Sequence, residues 1–577
     1  MDHAMHMSVE DVSRKILSRE IDRDEAMRLF ETLDKASQSQ VLAIIRPFGA
    51  ASPASRPLKT VDQRDLTDEH KIYIAELVKR YDAFVPKSKA NVLENQVHFV
   101  DQRRAFHLIK DLKKLHFQIT YTKAEGAYVH DADGNRYIDI SGDMGVNLFG
   151  HRAPFLIDAI KRSLDQGMPL VGYSDMIFEA CKLFCEITGH ERTLFTQSGT
   201  EAVMFAVRIA RAATGRKKIV LFDGAYHGLS DAVAATKDLG GNSFPMAPGI
   251  LQDFADQVIV LDYGDMAALD VIEARAGEIA TVLVEPVQSR HPYKKPVEFL
   301  KALRQLTIEK DIPLIFDEMI TGFRVCPQGA QGLFGIQADM ATYGKIPGGG
   351  LPTGVIAGAA KYMDLVDGGT WQFDDNSMPS SKRTGMAGTH SQNPLKIAAA
   401  LAVLREIKKR GSETGPCGQC NCFQQALNQK TTSIADTLNA FFREERLPVV
   451  IETFGSLFRF RFVDSYWGVT EALFFILLRM EGVETNIQGN CFLTTAHTDE
   501  DIEAVIAGVK ASMSMLKRSG FFLEPDEGLM QDTASLAETT ALAPPQSSNA
   551  SPRNEMERLK ALLAADLALA EESGNLA

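Results

Sequence analysis

The feature that most limits what this chain can fold into is an alternation, running through its middle, of short apolar runs with amphipathic stretches. "KIVLFDG", "TVLVEPVQ", "PLIFDE" and "GVIAGA" have the length and composition of buried strands, whereas "GTEAVMFAVRIARAATG" and "PVEFLKALRQLTIEK" carry apolar residues at helical spacing. Runs that are apolar on both sides need cover on both faces, and intervening helices supply it. The pattern therefore predicts an α/β fold built on a mostly parallel sheet. Ligands of such sheets bind beyond the carboxyl ends of the strands. Residues that follow the apolar runs are the first candidates for chemistry.

Bulk properties narrow the function classes. A chain of 577 residues exceeds one ordinary domain. The formal charge of −13 comes with no basic block, which argues against a nucleic-acid surface and for small molecules or proteins as partners. No stretch of about 20 apolar residues is present, and the start "MDHAMHMSVED" lacks the layout of a secretion signal, so the expectation is a cytoplasmic protein without a membrane partner. Cys181, Cys185, Cys326 and Cys491 sit singly in apolar segments and read as reduced core thiols. Cys417, Cys420 and Cys422 cluster in "CGQCNC", but a closed zinc site needs a fourth ligand and none lies near, so no metal is expected.

The ends differ from the middle. Cap-spaced pairs, Ser8 with Asp11 and Asp22 with Glu25, precede apolar stripes through Val9, Val12 and Ile16 and through Ala26, Leu29 and Leu33, which predicts two helices within the first 45 or so residues. "FGAASPASRP" follows as a linker. Near the other end "TASLAETTALAPPQSSNASPRN" has linker composition, and "EMERLKALLAADLALAEE" resumes as a helix with Met556, Leu559, Leu563 and Leu567 on one side. These ends are either dispensable tails or docking helices that bury their stripe on a partner.

Four clusters fall where the fold would place a ligand. Ser198, Gly199 and Thr200 open an amphipathic helix, so backbone N–H groups, hydroxyls and the positive helix end converge on one point, as a phosphate site or a plain helix cap. "LFDGAYHG" runs a strand into Gly224, Tyr226, His227 and Gly228, which puts an aromatic ring beside a turn. Asp317 ends "PLIFDE" and Glu285 follows "TVLV"; carboxylates there are costly to bury without a partner, which a salt bridge or a protonated ligand nitrogen would supply. Lys345, in "ATYGKIPGGGLPTG", cannot belong to a P-loop, because GxxxxGK[ST] would need glycine at Asp339 and a hydroxyl at Ile346; no HExxH zinc motif exists either. What remains is a lysine made nucleophilic by its surroundings, able to bond a carbonyl carbon. A phosphate cradle, a stacking aromatic, an aspartate for a pyridinium nitrogen and a Schiff-base lysine together make the parts list of pyridoxal 5'-phosphate.

These motifs, with "GTHSQNPL", resemble the class III, fold-type I aminotransferases, and most closely the branch of glutamate-1-semialdehyde aminomutase, over roughly residues 120 to 515. The resemblance implies a large domain at 181–395 and a smaller α+β domain built from 61–180 and 396–520, with appendages at 1–60 and 521–577. It makes Lys345 the Schiff-base lysine and Asp317 the partner of the pyridine nitrogen, the two catalytic positions. It makes Ser198, Gly199 and Thr200 the phosphate cradle, stacks Tyr226 on the ring with His227 and Glu285 beside it, packs Val287 on the other face and brings Gln288 to the ring hydroxyl. Thr389 would reach the phosphate of a second subunit, implying a homodimer.

His390 and Gln392 depart from the family's usual "SGNP" reading, which puts substrate choice in doubt, and "CGQCNC" resembles an insertion. "AELVKRYDAFVPKSKANVLENQVHFVDQRRAF", "GVNLFGH", "FGSLFRFRF" and "CFLTTAHTDEDI" are similar to aminotransferase domains of polyketide and nonribosomal peptide synthases, and the leading helices resemble helices at synthase module edges. That likeness implies an amino-acid donor and a keto or aldehyde acceptor, presented by an acyl carrier protein or synthase partner. Two rivals stay open: an aminomutase that returns nitrogen to the same skeleton, and a non-catalytic partner-binding protein on this fold.

Overall fold

The computed structural model describes residues 66–522, apart from 102, 105–107, 238–240, 412–421, 464–467 and 486–488. The expected terminal helices, and Cys417 and Cys420, lie outside the described residues. The chain divides into a unit at Met1–Thr540 and another at Ala541–Ala577; everything below belongs to the first. No described helix is long and apolar enough to cross a membrane.

Seven strands form the main sheet: β1 (Arg192–Thr196), β2 (Lys218–Phe222), β3 (Val258–Leu261), β4 (Ile279–Val284), β5 (Leu314–Asp317), β6 (Met340–Gly344) and β7 (Gly354–Gly358), ordered β1-β7-β6-β5-β4-β2-β3. The interior pairs from β6 to β3 are parallel, and β7 alone runs against both its neighbours. Each of β4, β5, β6 and β7 is buried along its whole length, which is why these strands read as continuous apolar runs rather than alternating ones. The period of two survives in where the side chains go. Ile219, Leu221, Leu283, Ile315, Met340 and Ile356 point into one core with Ala202, Val203 and Ile209 of the helix Gly199–Thr214. Val220, Phe222, Val282, Val284, Leu314, Phe316 and Val355 point into the other, with Phe299, Leu300 and Leu303 of the helix Val297–Glu309. Burying a residue of this size contributes about 1.5–3 kcal/mol, so a one-residue slip that moved a strand's set to the wrong face would be strongly disfavoured.

Register then sets the site. Phe316 pairs with Val284 and Asp317 pairs with Thr342, so Glu285, Asp317 and the end of β6 share one edge. Gly354 is paired with both Gly344 and Thr196, which carries that edge across to the start of the helix at Gly199.

Among the described residues there are three smaller sheets, one of them the hairpin of Ala235–Lys237 and Ser243–Pro245. Tyr121–Glu125, Tyr128–Asp131 and Arg136–Asp139 form a meander, joined in parallel by Val483–Glu484 from far along the chain. Val449–Phe454, Leu457–Phe462 and Asn490–Phe492 form an antiparallel sheet. The expectation of reduced cysteines holds for Cys181, Cys185 and Cys491, which are free, but is corrected at Cys326, which is disulfide-bonded.

Candidate active site

The carboxylate that ends β5 is fully engaged. Asp317 is 3% exposed; its Oδ2 lies 2.8 Å from His227 Nδ1, and its Oδ1 accepts from Met319 N at 3.2 Å and from the Thr342 hydroxyl at 3.3 Å. His227 comes from the turn after β2 and is also buried, and its other ring nitrogen, Nε2, has no partner. Glu285, one residue beyond β4, accepts the backbone N–H of Tyr226 at 3.0 Å, and burial raises its pKa above the usual carboxylate value. Carboxylates left so poorly hydrated favour a cation, or a protonated ligand atom, in the space they face.

Lys345 is the first residue after β6. Burial pushes its pKa down, opposed by the charges of Asp317 and Glu285, so the amine is drawn toward the neutral form that can attack a carbonyl. Its backbone holds φ 51° and ψ −97°, a conformation that costs a non-glycine residue of order 1–3 kcal/mol and is typical of functional sites. The glycines behind it now have separate reasons. A Cβ at Gly349 would stand 2.8 Å from Leu156 Cδ1, at φ +55°, and Gly350 holds φ +94°.

At the start of the helix Gly199–Thr214, the cap reading holds. Ser198 Oγ accepts from Glu201 N at 3.2 Å as an ordinary N-cap, and Thr200 Oγ1 accepts from Leu229 N at 3.3 Å. Among the described residues, the amides of Gly199 and Thr200 have no hydrogen-bond partner, leaving two donors at the positive end of a helix. Close packing holds them: a Cβ at Gly354 would lie 2.1 Å from Ser198 O, and one at Gly228 would lie 2.6 Å from Thr200 Oγ1.

The remaining candidates separate. Tyr226 is 41% exposed, with the Arg290 guanidinium over its ring, 5.8 Å from the centroid. Gln288 is buried and donates to Asp223 O at 2.8 Å, which leaves Oε1 without a partner. Val287 is buried in a small cluster with Val325, Ala330 and Phe454. Thr389 is exposed, in the turn before the helix Pro394–Arg410, where neighbouring Gly388 approaches Gln197; no described hydrogen bond joins Thr389 to the Asp317 cluster.

Sequence reasoning missed three contributors. Thr342 binds Asp317. Met319 Sδ fills the space a Cβ would take at Gly199 and at Gly344, and Thr353 keeps a buried, unpartnered hydroxyl beside Gly348. Thr342 was findable from its place one row from Asp317; the other two carry no sequence signal.

An amine, a hydrogen-bonded carboxylate and a pair of free helix amides at one edge of this seven-stranded sheet define the fold-type I class of pyridoxal-phosphate enzymes. The chain belongs to the class-III aminotransferases: the family model "Aminotransferase class-III" matches residues 110–467. Glutamate-1-semialdehyde 2,1-aminomutase of Laribacter hongkongensis is 35% identical over 416 residues, 68% of this chain and 91% of that protein. The enzyme of the same name from Chloroflexus aurantiacus is 34% identical over 423 residues, 70% and 90% of the two chains. Among solved structures, an omega-transaminase from Sphaerobacter thermophilus shares 26% identity at TM-score 0.63, covering 74% of this chain and 97% of that one. A transaminase with PLP bound shares 25% identity at TM-score 0.65, covering 76% and 99%. The chain is thus a pyridoxal-phosphate-dependent transaminase by family. Its residues fit that cofactor: among the described residues, His227 Nε2, Gln288 Oε1 and Thr353 Oγ1 are three of the buried polar atoms without partners, and two helix amides are free for an oxyanion.

Proposed function

We propose that this enzyme moves an amino group from an amino-acid donor to a keto or aldehyde group of a biosynthetic intermediate presented by an acyl carrier protein, as a cytoplasmic homodimer in secondary-metabolite biosynthesis. The observation that carries the catalytic part is the placement of Lys345 and Asp317 at adjoining strand ends, with His227 hydrogen-bonded to Asp317. The likeness of flanking segments to synthase-borne aminotransferase domains supports the carrier. The division into 61–180, 181–395 and 396–520 belongs to the same proposal, supported by the pairing of Val483–Glu484 with Arg136–Asp139.

Pyridoxal phosphate, when bound, supplies a ring that accepts the electron pair of the donor's broken Cα–H bond. The chain's residues do the rest. Gly199 and Thr200 N–H groups, with the Ser198 and Thr200 hydroxyls, bind the phosphate, and Thr389 of a second copy adds a contact. Asp317, fixed by His227, Met319 and Thr342, holds a proton at the pyridine nitrogen. Tyr226, tethered through its backbone by Glu285, covers one ring face, Val287 supports the other, and Gln288 meets the ring hydroxyl. Lys345 Nζ, drawn toward neutrality by burial, would hold the cofactor's carbonyl carbon until the donor's amine replaces it there, and the freed lysine amine would then take the proton from the donor's Cα.

A second reading is favoured by one observation, that the relatives 34–35% identical over nine-tenths of their own length bear the aminomutase name. Incubation with a candidate amino-carbonyl substrate and no external amino donor separates the two. Turnover there establishes the aminomutase; turnover only with a donor establishes the transaminase.

A further inference from the structure

Beside Tyr226 the chain gathers positive charge that the assigned chemistry does not use. The loop after β4 supplies Arg290, His291 and Lys294, and the strand Leu457–Phe462 supplies Arg459 and Arg461. The loop touches the site directly. Arg290 lies 5.8 Å from the Tyr226 ring, and a Cβ at Gly224 would meet His291 at 3.4 Å and Gln288 Oε1 at 3.1 Å. The strand closes the far side, with Arg461 stacked 5.0 Å over Tyr293, whose ring in turn lies 6.0 Å from His291.

Direct pairing is sparse. Arg461 pairs with Glu452 at 2.9 Å. Arg459 bonds Asn490 Oδ1 at 2.7 Å and feels the buried Glu471 at longer range. Among the described residues, Arg290, Lys294 and Arg459 form no direct ion pair; Asp223 and Asp262 act on Lys294, and Glu285 on Arg290, only at longer range. Burial, aided by the charges of Lys294, Arg459, Arg461 and Arg290, pushes His291 down to about 3, which keeps that imidazole neutral. All these residues are partly exposed, as groups reaching a ligand must be. Desolvated, unpaired guanidinium groups are the protein's preferred receptors for carboxylate and phosphate.

We propose that Arg290, Lys294 and Arg459, with Arg461 as their Glu452-braced neighbour, form a subsite that binds an oxyanion carried by the acceptor. This deepens the transaminase reading above and rests on it. Two acceptors carry such a group: a free keto acid through its carboxylate, and a carrier-bound keto chain through the phosphate of its pantetheine arm.

The test is equilibrium binding to the protein already loaded with pyridoxal phosphate, so that the Gly199–Thr200 site is filled. Phosphopantetheine is compared with pantetheine, and hexanoate with hexanamide, by calorimetry. At least one charged probe should bind about tenfold or more tighter than its neutral twin, and added salt should shrink the gap. In the Arg290→Gln, Arg459→Gln double variant the twins should bind alike. Preference for phosphopantetheine assigns the subsite to phosphate, and preference for hexanoate assigns it to carboxylate. If the double variant does not fold, Lys294→Gln alone should reduce the preference at least about threefold. Equal binding of both twin pairs by the parent protein, or a preference that survives the substitutions, overturns the proposal. Failure of the underlying reading looks different: the protein would not develop the visible absorption of the bound cofactor at all.

Discussion

Asp317→Asn tests the electronic half of the mechanism with little change of shape. The carboxylate accepts three hydrogen bonds, from His227 Nδ1 at 2.8 Å, Met319 N at 3.2 Å and the Thr342 hydroxyl at 3.3 Å. Asparagine keeps one oxygen, which can still serve Met319 and Thr342, but it turns an NH2 toward His227 and removes the negative charge. The interaction lost is one charge-assisted hydrogen bond to the protonated ring nitrogen, about 1.5–3 kcal/mol. If that bond matters most as the donor's Cα–H breaks, the rate of that step falls about 10- to 150-fold, at 1.36 kcal/mol per factor of ten. The assay is a single turnover of the loaded protein with an amino-acid donor and no acceptor, followed by stopped-flow absorbance. Asp317→Glu, which keeps the charge, should recover part of the loss. A rate for Asp317→Asn within threefold of the parent, at equal cofactor occupancy, would refute the assignment.

Three further outcomes follow from the geometry. Gly228→Ala places a Cβ 2.6 Å from Thr200 Oγ1 at φ +85°, and should weaken pyridoxal-phosphate binding about tenfold or more in a cofactor titration; unchanged affinity would remove Thr200 from the cradle. His190 is buried and its pKa is lowered to about 4, so the folded state resists the proton that the unfolded chain takes up near 6.5. Stability should therefore fall as pH drops below 6.5, by about 1.5 kcal/mol between pH 6.5 and 5. His190→Gln should flatten that slope in urea titrations, and an equally steep slope would mean another group is responsible. Gln288→Ala removes a side chain whose Oε1 is unpaired and whose Nε2 holds Asp223 O; the expected result is a shift of the bound cofactor's visible absorption, and an identical spectrum would place Gln288 away from the ring.

The candidate residues were legible because they sit at strand ends, where a continuous apolar run gives way to helical spacing in the sequence itself. Asp317 and Glu285 stood out as carboxylates closing apolar runs, and the register Asp317↔Thr342 explains why they share an edge. Ser198 was ambiguous between cap and cradle for a good reason: the hydroxyl caps Glu201 while the next two amides stay free. The cationic groove was not legible, because Arg290 and Arg459 are brought together by tertiary packing across a long stretch of chain. Nor was the strain at Lys345, since a φ of 51° on a lysine is imposed by its neighbours and leaves no trace in composition. Cys326 looked like any buried thiol in an apolar segment, and its disulfide depends on chain geometry that spacing does not encode.

The central claim is that Lys345 is the residue that bonds the cofactor. Loading the protein with pyridoxal phosphate, reducing it with borohydride and mapping its peptides by mass spectrometry tests this directly. The pyridoxyl mass should appear on the peptide carrying Lys345 and should disappear, with the visible absorption, in Lys345→Ala. A label on any other lysine, or a Lys345→Ala variant that keeps both the label and transamination, would contradict it.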